Sequence, residues 1–384
     1  MKSVLLDNVR LISPDVDLAG AGVLVENGRV KRIFASGDAR PRVDAALDLG
    51  GKMLMPGFID IHTHGRSGYE FTDGDTGHLT AMCQDKLKEG VTSWLPTTLT
   101  LGRDTLKAAL ESAGRYAASG VPGARVPGVH LEGPYINPKC LGAQNPAFVR
   151  PPDIEEVLEL NAVYPVLKVS YAVEMPGGAE FAAELRAAGI TPSCVHSQAT
   201  YAQFLEGYRH GLRDLSHFCN QMTALHHRDI GLVGAGLRHR EVYLEMICDK
   251  IHLSPEMIAL VFQLKDLDHI QLITDACQAA GMPDGEYEIG GLPLILKDGA
   301  ARLASNGALA GSTLQICIAL RNVYEITGLP LEQLVRTTSL NQAISLGLEK
   351  LGRLEPGYYA DIVILNEKFQ VLKTLVDGEV RYEA

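Results

Sequence analysis

The middle of this chain alternates between short apolar segments and amphipathic segments, and this alternation constrains its fold more than any other feature. Eight segments with the length and composition of buried strands end near His62, Thr97, Glu132, Val173, His196, His217, Cys248 and Asp275. Segments with helical periodicity separate most of them, at residues 76–89, 105–118, 154–164, 179–188, 201–210 and 255–264. Strands that alternate with helices predict an α/β chain with a (β/α)8 TIM-type barrel at its centre. A doubly wound open sheet is the alternative.

Both ends of the chain have a different pattern, which predicts a small β domain. Strand-like segments lie at residues 3–6, 22–25, 29–33, 361–365, 371–376 and 379–382. Asn27-Gly28 is typical of a hairpin turn between two of them. We therefore expect residues 1–54 and 350–384 to pair into one small β-sandwich domain, and residues 55–349 to form the catalytic barrel. Residues 285–304 resemble inserted hairpins, followed by a helix that begins near Ser312.

Charge and composition exclude several classes of partner. The formal net charge of −11 argues against nucleic acid or an anionic membrane surface as a partner. No apolar run has the length of a membrane span, and the first fifteen residues show no signal-peptide pattern. The seven cysteines are odd in number and lack CxxC spacing, which favours a cytoplasmic protein without disulfides or a cysteine-type zinc site.

Metal-binding side chains lie at the predicted strand ends, where the active site of a barrel is found. His62 and His64 are one residue apart, so a strand directs both imidazoles to one side. Other strand ends add Glu132, His196, His217 and Asp275. Taken singly, each of these residues could have a purely structural role in a turn, in the core or as a helix cap. Their joint occurrence at successive strand ends favours a metal site. Nitrogen and carboxylate ligands suit Zn²⁺ first, with Fe²⁺, Mn²⁺ or Co²⁺ as alternatives, and this set can hold one ion, or two bridged by Glu132.

A compact basic group at His226-His227-Arg228 contrasts with the acidic total charge. Arginine can grip a phosphate with two parallel hydrogen bonds, and histidine can supplement it. A solvated loop with chance basic residues is the alternative, and we favour a phosphate clamp.

Several motifs together carry a resemblance to a known family. They lie at residues 56–62, 130–134, 142–146, 196–200, 226–228, 231–236, 274–276 and 309–313. In this order, and over essentially the whole chain, they resemble the N-acetylglucosamine-6-phosphate deacetylases, a branch of the amidohydrolase superfamily. The resemblance implies a homodimeric hydrolase that converts a small phosphorylated amino sugar, N-acetylglucosamine 6-phosphate, to glucosamine 6-phosphate and acetate.

The resemblance also implies roles for individual residues. Glu132, His196 and His217 match the family's metal ligands, and His62 with His64 matches a second metal position that some members lack. Asp275 matches the catalytic acid and base, and can also touch the second metal. The positions that match substrate contacts are Gln144, Asn220 and His252 for the sugar or its acetyl group, and His227 and Arg228 for the phosphate. In relatives the phosphate clamp can involve the neighbouring subunit of a dimer.

Three departures from the family pattern bear on the substrate. Cys219 and Gln221 are unusual, and Lys250 stands where the family usually has glycine. The N-acetylgalactosamine 6-phosphate isomer is the nearest alternative substrate, because one epimeric hydroxyl separates the two sugars and no residue of the sequence decides between them. A cyclic amidase is less favoured, because such enzymes usually bridge their metals with a carboxylated lysine. A metal-free, non-catalytic scaffold is disfavoured because all six candidate ligands are present.

Overall fold

The computed structural model describes residues 3–384, and its first part is made of strands only. They are β1 (Ser3–Ser13), β2 (Val16–Glu26), β3 (Arg29–Phe34), β4 (Ala45–Asp48) and β5 (Met53–Pro56). Asn27 and Gly28 join β2 to β3, with φ angles of 52° and 74°. Positive φ at both central positions is what a two-residue hairpin turn requires.

The central part alternates strands and helices. In chain order these are β6 (Phe58–Thr63), β7 (Gly65–Arg66), β8 (Tyr69–Glu70), α1 (Thr76–Lys86), β9 (Val91–Pro96), α2 (Arg103–Ser119), β10 (Val129–Glu132), α3 (Ile154–Val163), β11 (Val166–Tyr171), α4 (Gly178–Ala187), β12 (Thr191–Cys194), α5 (Tyr201–Arg209), β13 (Asp214–Leu215), α6 (Gly231–Arg238), β14 (Tyr243–Met246), α7 (Pro255–Leu264) and β15 (Ile270–Leu272). The six predicted helices are all present. Several begin at a capping side chain, such as Asp75 before α1 and Ser254 before α7.

The last part contains an inserted sheet, three helices and three more strands. These are β16 (Gly285–Ile289), β17 (Leu292–Lys297), β18 (Ala300–Leu303), α8 (Ile316–Thr327), α9 (Leu331–Leu334), α10 (Leu340–Ser345), β19 (Ile362–Leu365), β20 (Val371–Val376) and β21 (Glu379–Glu383). Single turns of 3₁₀ helix lie at Phe71–Asp73, Leu87–Glu89, Pro146–Phe148, Leu267–His269 and Val335–Thr338. The helix expected near Ser312 begins only at Ile316, because Ser312 is held in a parallel bridge with Ala276.

Parallel pairing organises the centre of the molecule. The strands β10 to β15 form a six-stranded parallel sheet in chain order, and β6 pairs in parallel with β9. Isolated parallel bridges join Thr97 to His130 in β10, and Thr63 to Ala276, four residues after the end of β15. β6 and β9 are buried along their whole length, as expected for parallel strands covered on both faces.

Several central strands end earlier than their sequence predicts. The backbone leaves β12, β13 and β15 two or three residues before the candidate ligands that follow them. His196, His217 and Asp275 then adopt positive φ angles of 44°, 30° and 51°. This left-handed conformation is uncommon outside glycine and clusters at functional sites.

The two chain ends share one eight-stranded sheet, ordered β21-β20-β19-β5-β1-β2-β3 with β4 beside β1. β1 changes partner along its length, pairing with β4 at residues 4–7 and with β5 at residues 10–11. A separate hydrophobic core is formed by buried residues of this sheet, including Leu6, Val23 and Ile362. Among residues 3–384, every helix is too short or too polar to cross a bilayer.

Candidate metal centre

A buried carboxylate, Glu132 at the end of β10, lies at the centre of the candidate ligands. Its Oε1 is 3.4 Å from His62 Nε2, 3.5 Å from His196 Nε2 and 3.1 Å from His217 Nε2. Its Oε2 is 3.4 Å from His64 Nε2. Three imidazoles thus lie near Oε1 and one near Oε2, so both oxygens of one carboxylate face imidazole nitrogens, as a ligand shared by two metal ions requires.

Hydrogen bonds fix the orientation of the imidazoles. His64 Nδ1 lies 3.2 Å from the carbonyl oxygen of Thr97, and His196 Nδ1 lies 2.6 Å from that of Cys140. A carbonyl oxygen only accepts, so in both rings Nδ1 carries a proton, and Nε2 is the ring atom directed at Glu132. Fixing the tautomer through the far nitrogen is a common feature of metal-binding histidines.

Imidazoles are the charge partners of Glu132 and Asp275 among residues 3–384. His62 Nε2 is buried and has no hydrogen-bond partner. His196 Nε2 and His217 Nε2 face each other at 3.3 Å. Burial acts to lower the pKa of His62, but Glu245 and Glu132 outweigh it and raise this pKa well above its ordinary value. These donors therefore fit a divalent cation, bound either by His62, His64 and Glu132 or by Glu132, His196 and His217.

A third group of neighbouring donors, His62, His130 and Glu245, does not fit a cation. His130 Nδ1 lies 3.0 Å from the carbonyl oxygen of Ile61, and its Nε2 lies 2.6 Å from Ser170 Oγ. Both ring nitrogens are therefore satisfied within the protein. Burial, then His62 and Lys168, lower the pKa of His130 well below its ordinary value, so it is a neutral core histidine.

Asp275 approaches the cluster from the side of His62 and His64. Its Oδ1 is 3.5 Å from His62 Nε2 and 3.2 Å from His64 Nε2. Its backbone is fixed by two hydrogen bonds, from Asp275 N to His62 O at 2.8 Å and from Ser312 N to Asp275 O at 2.7 Å. Asp275, like Glu132, borders the open cavity. Unlike Glu132, it lies beside His62 and His64 and not among all four histidines.

A cavity of about 220 Å³ opens above these residues. Gln144, Asn220 and His252 line it, together with five of the six candidate ligands, His62 being fully covered. Its volume is below the roughly 300–1,000 Å³ typical of drug-sized ligands, so it suits a small metabolite. Within residues 3–384, no lysine or arginine lines it.

Two of the polar lining residues, Gln144 and His252, are held in different ways. Gln144 Nε2 donates to Glu132 Oε2, and Gln144 Oε1 accepts from Thr100 N at 2.7 Å. His252 Nδ1 contacts Asp249 Oδ2 at 2.7 Å, which leaves Nε2 free toward the cavity. Gln144 is therefore occupied by protein partners, whereas His252 is oriented to meet a ligand.

The basic pair His227 and Arg228 lies outside the cavity lining of this chain. Both side chains are exposed, and Arg228 Nη1 donates to His227 Nε2 at 2.9 Å. Their loop follows Asn220 and Gln221, which do line the cavity. The folded chain thus brings the predicted metal and sugar residues together in one site. The predicted phosphate residues lie on the surface beside it.

The residues that depart from the family pattern have left-handed backbone conformations. Cys219, Gln221 and Lys250 have positive φ angles of 76°, 50° and 68°. Glycine adopts this conformation without strain, which explains why the family resemblance predicts glycine at position 250. The Lys250 side chain points to Glu325, with Nζ 3.2 Å from its carboxylate, and does not line the cavity.

Three buried charged residues behind the site were missed by the sequence analysis: Lys168, Asp214 and Glu245. Lys168 Nζ lies 2.7 Å from Asp214 Oδ1 and also contacts Glu245 Oε1. Burial raises the pKa of Asp214 to about 6, against the opposing effect of Lys168. The available signal was a charged residue within an otherwise apolar strand, because such a residue requires a buried partner.

Comparison with known proteins identifies relatives along nearly the whole chain. The sequence model of the Amidohydrolase family matches residues 53–381. An N-acetylglucosamine-6-phosphate deacetylase from Lysinibacillus sphaericus is 35% identical over 383 residues, 99% of this chain and 98% of the relative. An N-acetylgalactosamine-6-phosphate deacetylase from Escherichia coli O157:H7 is 38% identical over 332 residues, 86% and 88% of the two chains. The crystal structure of an N-acetylglucosamine-6-phosphate deacetylase from Thermotoga maritima superposes with a TM-score of 0.89 at 35% identity, covering 99% of this chain and 100% of that one.

Proposed function

Because this chain belongs to the N-acetylglucosamine-6-phosphate deacetylase family of amidohydrolases, we propose that it hydrolyses N-acetylglucosamine 6-phosphate to glucosamine 6-phosphate and acetate. Family membership makes it a hydrolase of an amide C–N bond rather than a non-catalytic scaffold. The observation that carries the proposal is the buried set of four imidazoles around Glu132 beside Asp275, at the floor of a cavity of metabolite size.

The proposed cofactor is a divalent metal, with zinc as our first choice because the ligand atoms are nitrogen and carboxylate oxygen. Glu132, His196 and His217 would hold one ion, and His62 with His64 and Glu132 would hold a second. The chemistry that a bound divalent metal would supply there is polarisation of the acetyl carbonyl and a more acidic water molecule. The unpartnered Nε2 of His62 supports occupation of the second position.

Asp275 performs the proton transfers in this proposal. Its carboxylate is ionised, because the pKa of Asp275 is lowered: burial acts to raise it, but the hydrogen bond from His64 and the charges of His62 and His64 outweigh that effect. Oδ1 can therefore take a proton from the attacking water. It then donates that proton to the amine nitrogen as the C–N bond breaks, since an amine leaves readily only when protonated.

The sugar is oriented by side chains around the cavity. His252, held through Nδ1 by Asp249, presents Nε2 to the acetyl oxygen or a sugar hydroxyl. Asn220 lines the same wall, although its Nδ2 also donates to the carbonyl oxygen of His217 at 3.1 Å. Gln144 donates a hydrogen bond to Glu132, so its main effect is to hold that carboxylate, and any contact with the acetyl group is made from this fixed position.

We propose that His227 and Arg228 bind the phosphate, within a homodimer. The cavity of one chain has no lysine or arginine in its lining, so a phosphate there needs a cation from elsewhere. The exposed loop that carries Arg228 supplies one, and a loop that lies outside its own cavity is suited to reach the site of a neighbouring subunit. The seven free cysteines support a cytoplasmic location.

Replacing Arg228 with alanine is expected to raise KM for N-acetylglucosamine 6-phosphate by about 10–100-fold, since a charge-assisted hydrogen bond contributes about 1.5–3 kcal/mol. Steady-state kinetics with the phosphorylated and the free sugar check this, because the free sugar has no phosphate to lose. The matched control is Arg240→Ala, another exposed arginine, which pairs with Asp266. An equal effect of Arg228→Ala on both sugars contradicts a phosphate contact.

We further propose that the central strands close into one (β/α)8 barrel over residues 55–349. The support is that bridges join the β6–β9 pair to β10 at one edge of the six-stranded sheet and to the segment after β15 at the other, which an open doubly wound sheet lacks. Residues 1–54 and 350–384 then form the β-sandwich domain. The change of partner along β1 supports two layers in that domain.

The experiment that tests the function measures acetate release from N-acetylglucosamine 6-phosphate and from N-acetylgalactosamine 6-phosphate, with and without added Zn²⁺. Faster release from the first supports the proposal. The second is the alternative, favoured by the E. coli relative that is 38% identical and bears that name. Absence of release from both, with metal present, rejects an N-acetylhexosamine-6-phosphate deacetylase.

A further inference from the structure

A chain of buried contacts leads from the far side of the barrel interior to His62. Lys168 Nζ on β11 contacts Asp214 on β13 and Glu245 on β14. Glu245 Oε2 then lies 2.8 Å from His62 Nδ1. All of these side chains are buried.

The contact between Glu245 and His62 determines the state of the imidazole. The Glu245 carboxylate accepts a hydrogen bond from Nδ1–H, which leaves Nε2 as the ring atom that can bind a metal ion. That atom is the buried nitrogen without a partner, 3.4 Å from Glu132 and 3.5 Å from Asp275. A hydrogen-bonded carboxylate also makes an imidazole a stronger ligand.

The charges of Lys168, Asp214 and Glu245 do not balance among themselves. One ammonium, Lys168, faces two carboxylates, Asp214 and Glu245. Ser193 donates a hydrogen bond to Asp214 at 2.8 Å but adds no charge. One negative charge remains in the interior on the side of His62, and a buried charge is stable only when it is paired.

We propose that Glu245, held by Lys168, is a positioning residue that makes His62 a metal ligand and thereby sets the affinity of the second metal position. This inference rests on the proposed two-metal site. His64, His196 and His217 have no such carboxylate on their far nitrogen: His64 and His196 donate to backbone carbonyls, and His217 Nδ1 has no partner. Glu245 therefore acts on one of the two positions, although its Oε2 also accepts from the backbone N of His217 at 3.3 Å.

The test is a titration of metal-free protein with Zn²⁺, which needs no substrate. The full chain is stripped with a chelator, and the number of ions and their affinities are measured by competition with a coloured chelator. Wild-type protein is expected to bind two ions. Glu245→Gln is expected to keep one affinity and to weaken the other by about 10–100-fold, the usual effect of removing the carboxylate behind a metal-binding histidine.

Two further variants serve as controls for the effect of Glu245→Gln on metal affinity. Glu156→Gln removes another buried carboxylate, one that pairs with Arg150 at 2.5 Å, and is expected to leave both affinities unchanged. His62→Gln is expected to lose the weaker ion, and adding Glu245→Gln to it is expected to change nothing more. This comparison separates an effect through His62 from a general effect on the fold.

The proposal is overturned if Glu245→Gln binds both ions normally, weakens both equally, or retains its full effect without His62. It is also overturned if wild-type protein binds fewer than two ions.

Circular dichroism checks folding, and if Glu245→Gln is unfolded, Glu245→Asp replaces it. Aspartate keeps the charge for Lys168 but is one methylene too short to hold His62, so unchanged affinities in that variant also reject the proposal. Failure of acetate release with normal two-ion binding rejects the proposed reaction and leaves this inference standing.

Discussion

Replacing Asp275 with asparagine is expected to lower kcat for deacetylation by about 10²–10⁴-fold, the contribution of a positioned general acid–base group. Asparagine has nearly the same shape as aspartate but can neither take a proton from water nor donate one to the amine. The substitution preserves the local backbone, since asparagine tolerates the φ of 51° at this position. The two backbone hydrogen bonds of residue 275 do not involve its side chain.

The measurement combines kcat, from initial rates of acetate release, with metal content. At least one ion per chain is expected to remain, because Glu132, His196 and His217 are untouched. Asp298→Asn is the matched control, as Asp298 has a φ of 50° but lies in an exposed turn between β17 and β18. If Asp275→Asn keeps kcat within about tenfold of wild type, a different group carries the proton.

The helices of the central part could be predicted from the sequence because their signals are local. A capping side chain before a periodic apolar pattern, as at Asp75 and Ser254, specifies a start without reference to the rest of the chain. The helix α6 was not predicted, since its Gly-Leu-Val-Gly-Ala-Gly sequence has low helix propensity. Its glycines serve packing instead: a Cβ on Gly236 would lie 2.6 Å from the ring of Phe218.

The candidate ligands could also be predicted, because each lies at the end of an apolar strand and parallel strands bring their ends together. Their backbones could not: the positive φ angles at His196 and His217 follow from contacts with neighbouring strands. The partners of the ligands were equally hidden. Glu245 and the carbonyl oxygens of Thr97 and Cys140 are distant in sequence from the histidines that they orient. Only the folded chain brings them into contact.

Replacing Glu132 with glutamine is expected to remove metal from both positions and, with it, essentially all deacetylation. Glu132 is within 3.5 Å of all four histidine Nε2 atoms, so no other side chain is shared in this way. The histidines lower the pKa of Glu132 well below its ordinary range, although burial opposes them, so the native group is a carboxylate. Glutamine loses that charge and directs an NH₂ group at atoms that need to face a cation.

Thermal unfolding gives a readout of this loss that does not depend on turnover. A ligand that binds only the folded state stabilises it, by about 2.7 kcal/mol at one hundred times its dissociation constant. Wild-type Tm is therefore expected to fall on chelation and to recover with Zn²⁺, whereas the Tm of Glu132→Gln should respond to neither. Glu156→Gln removes a buried carboxylate that pairs with Arg150, and this variant should respond as wild type does. A normal Zn²⁺ response in Glu132→Gln means that the metal is bound elsewhere, because removing the shared carboxylate cannot leave both proposed positions intact.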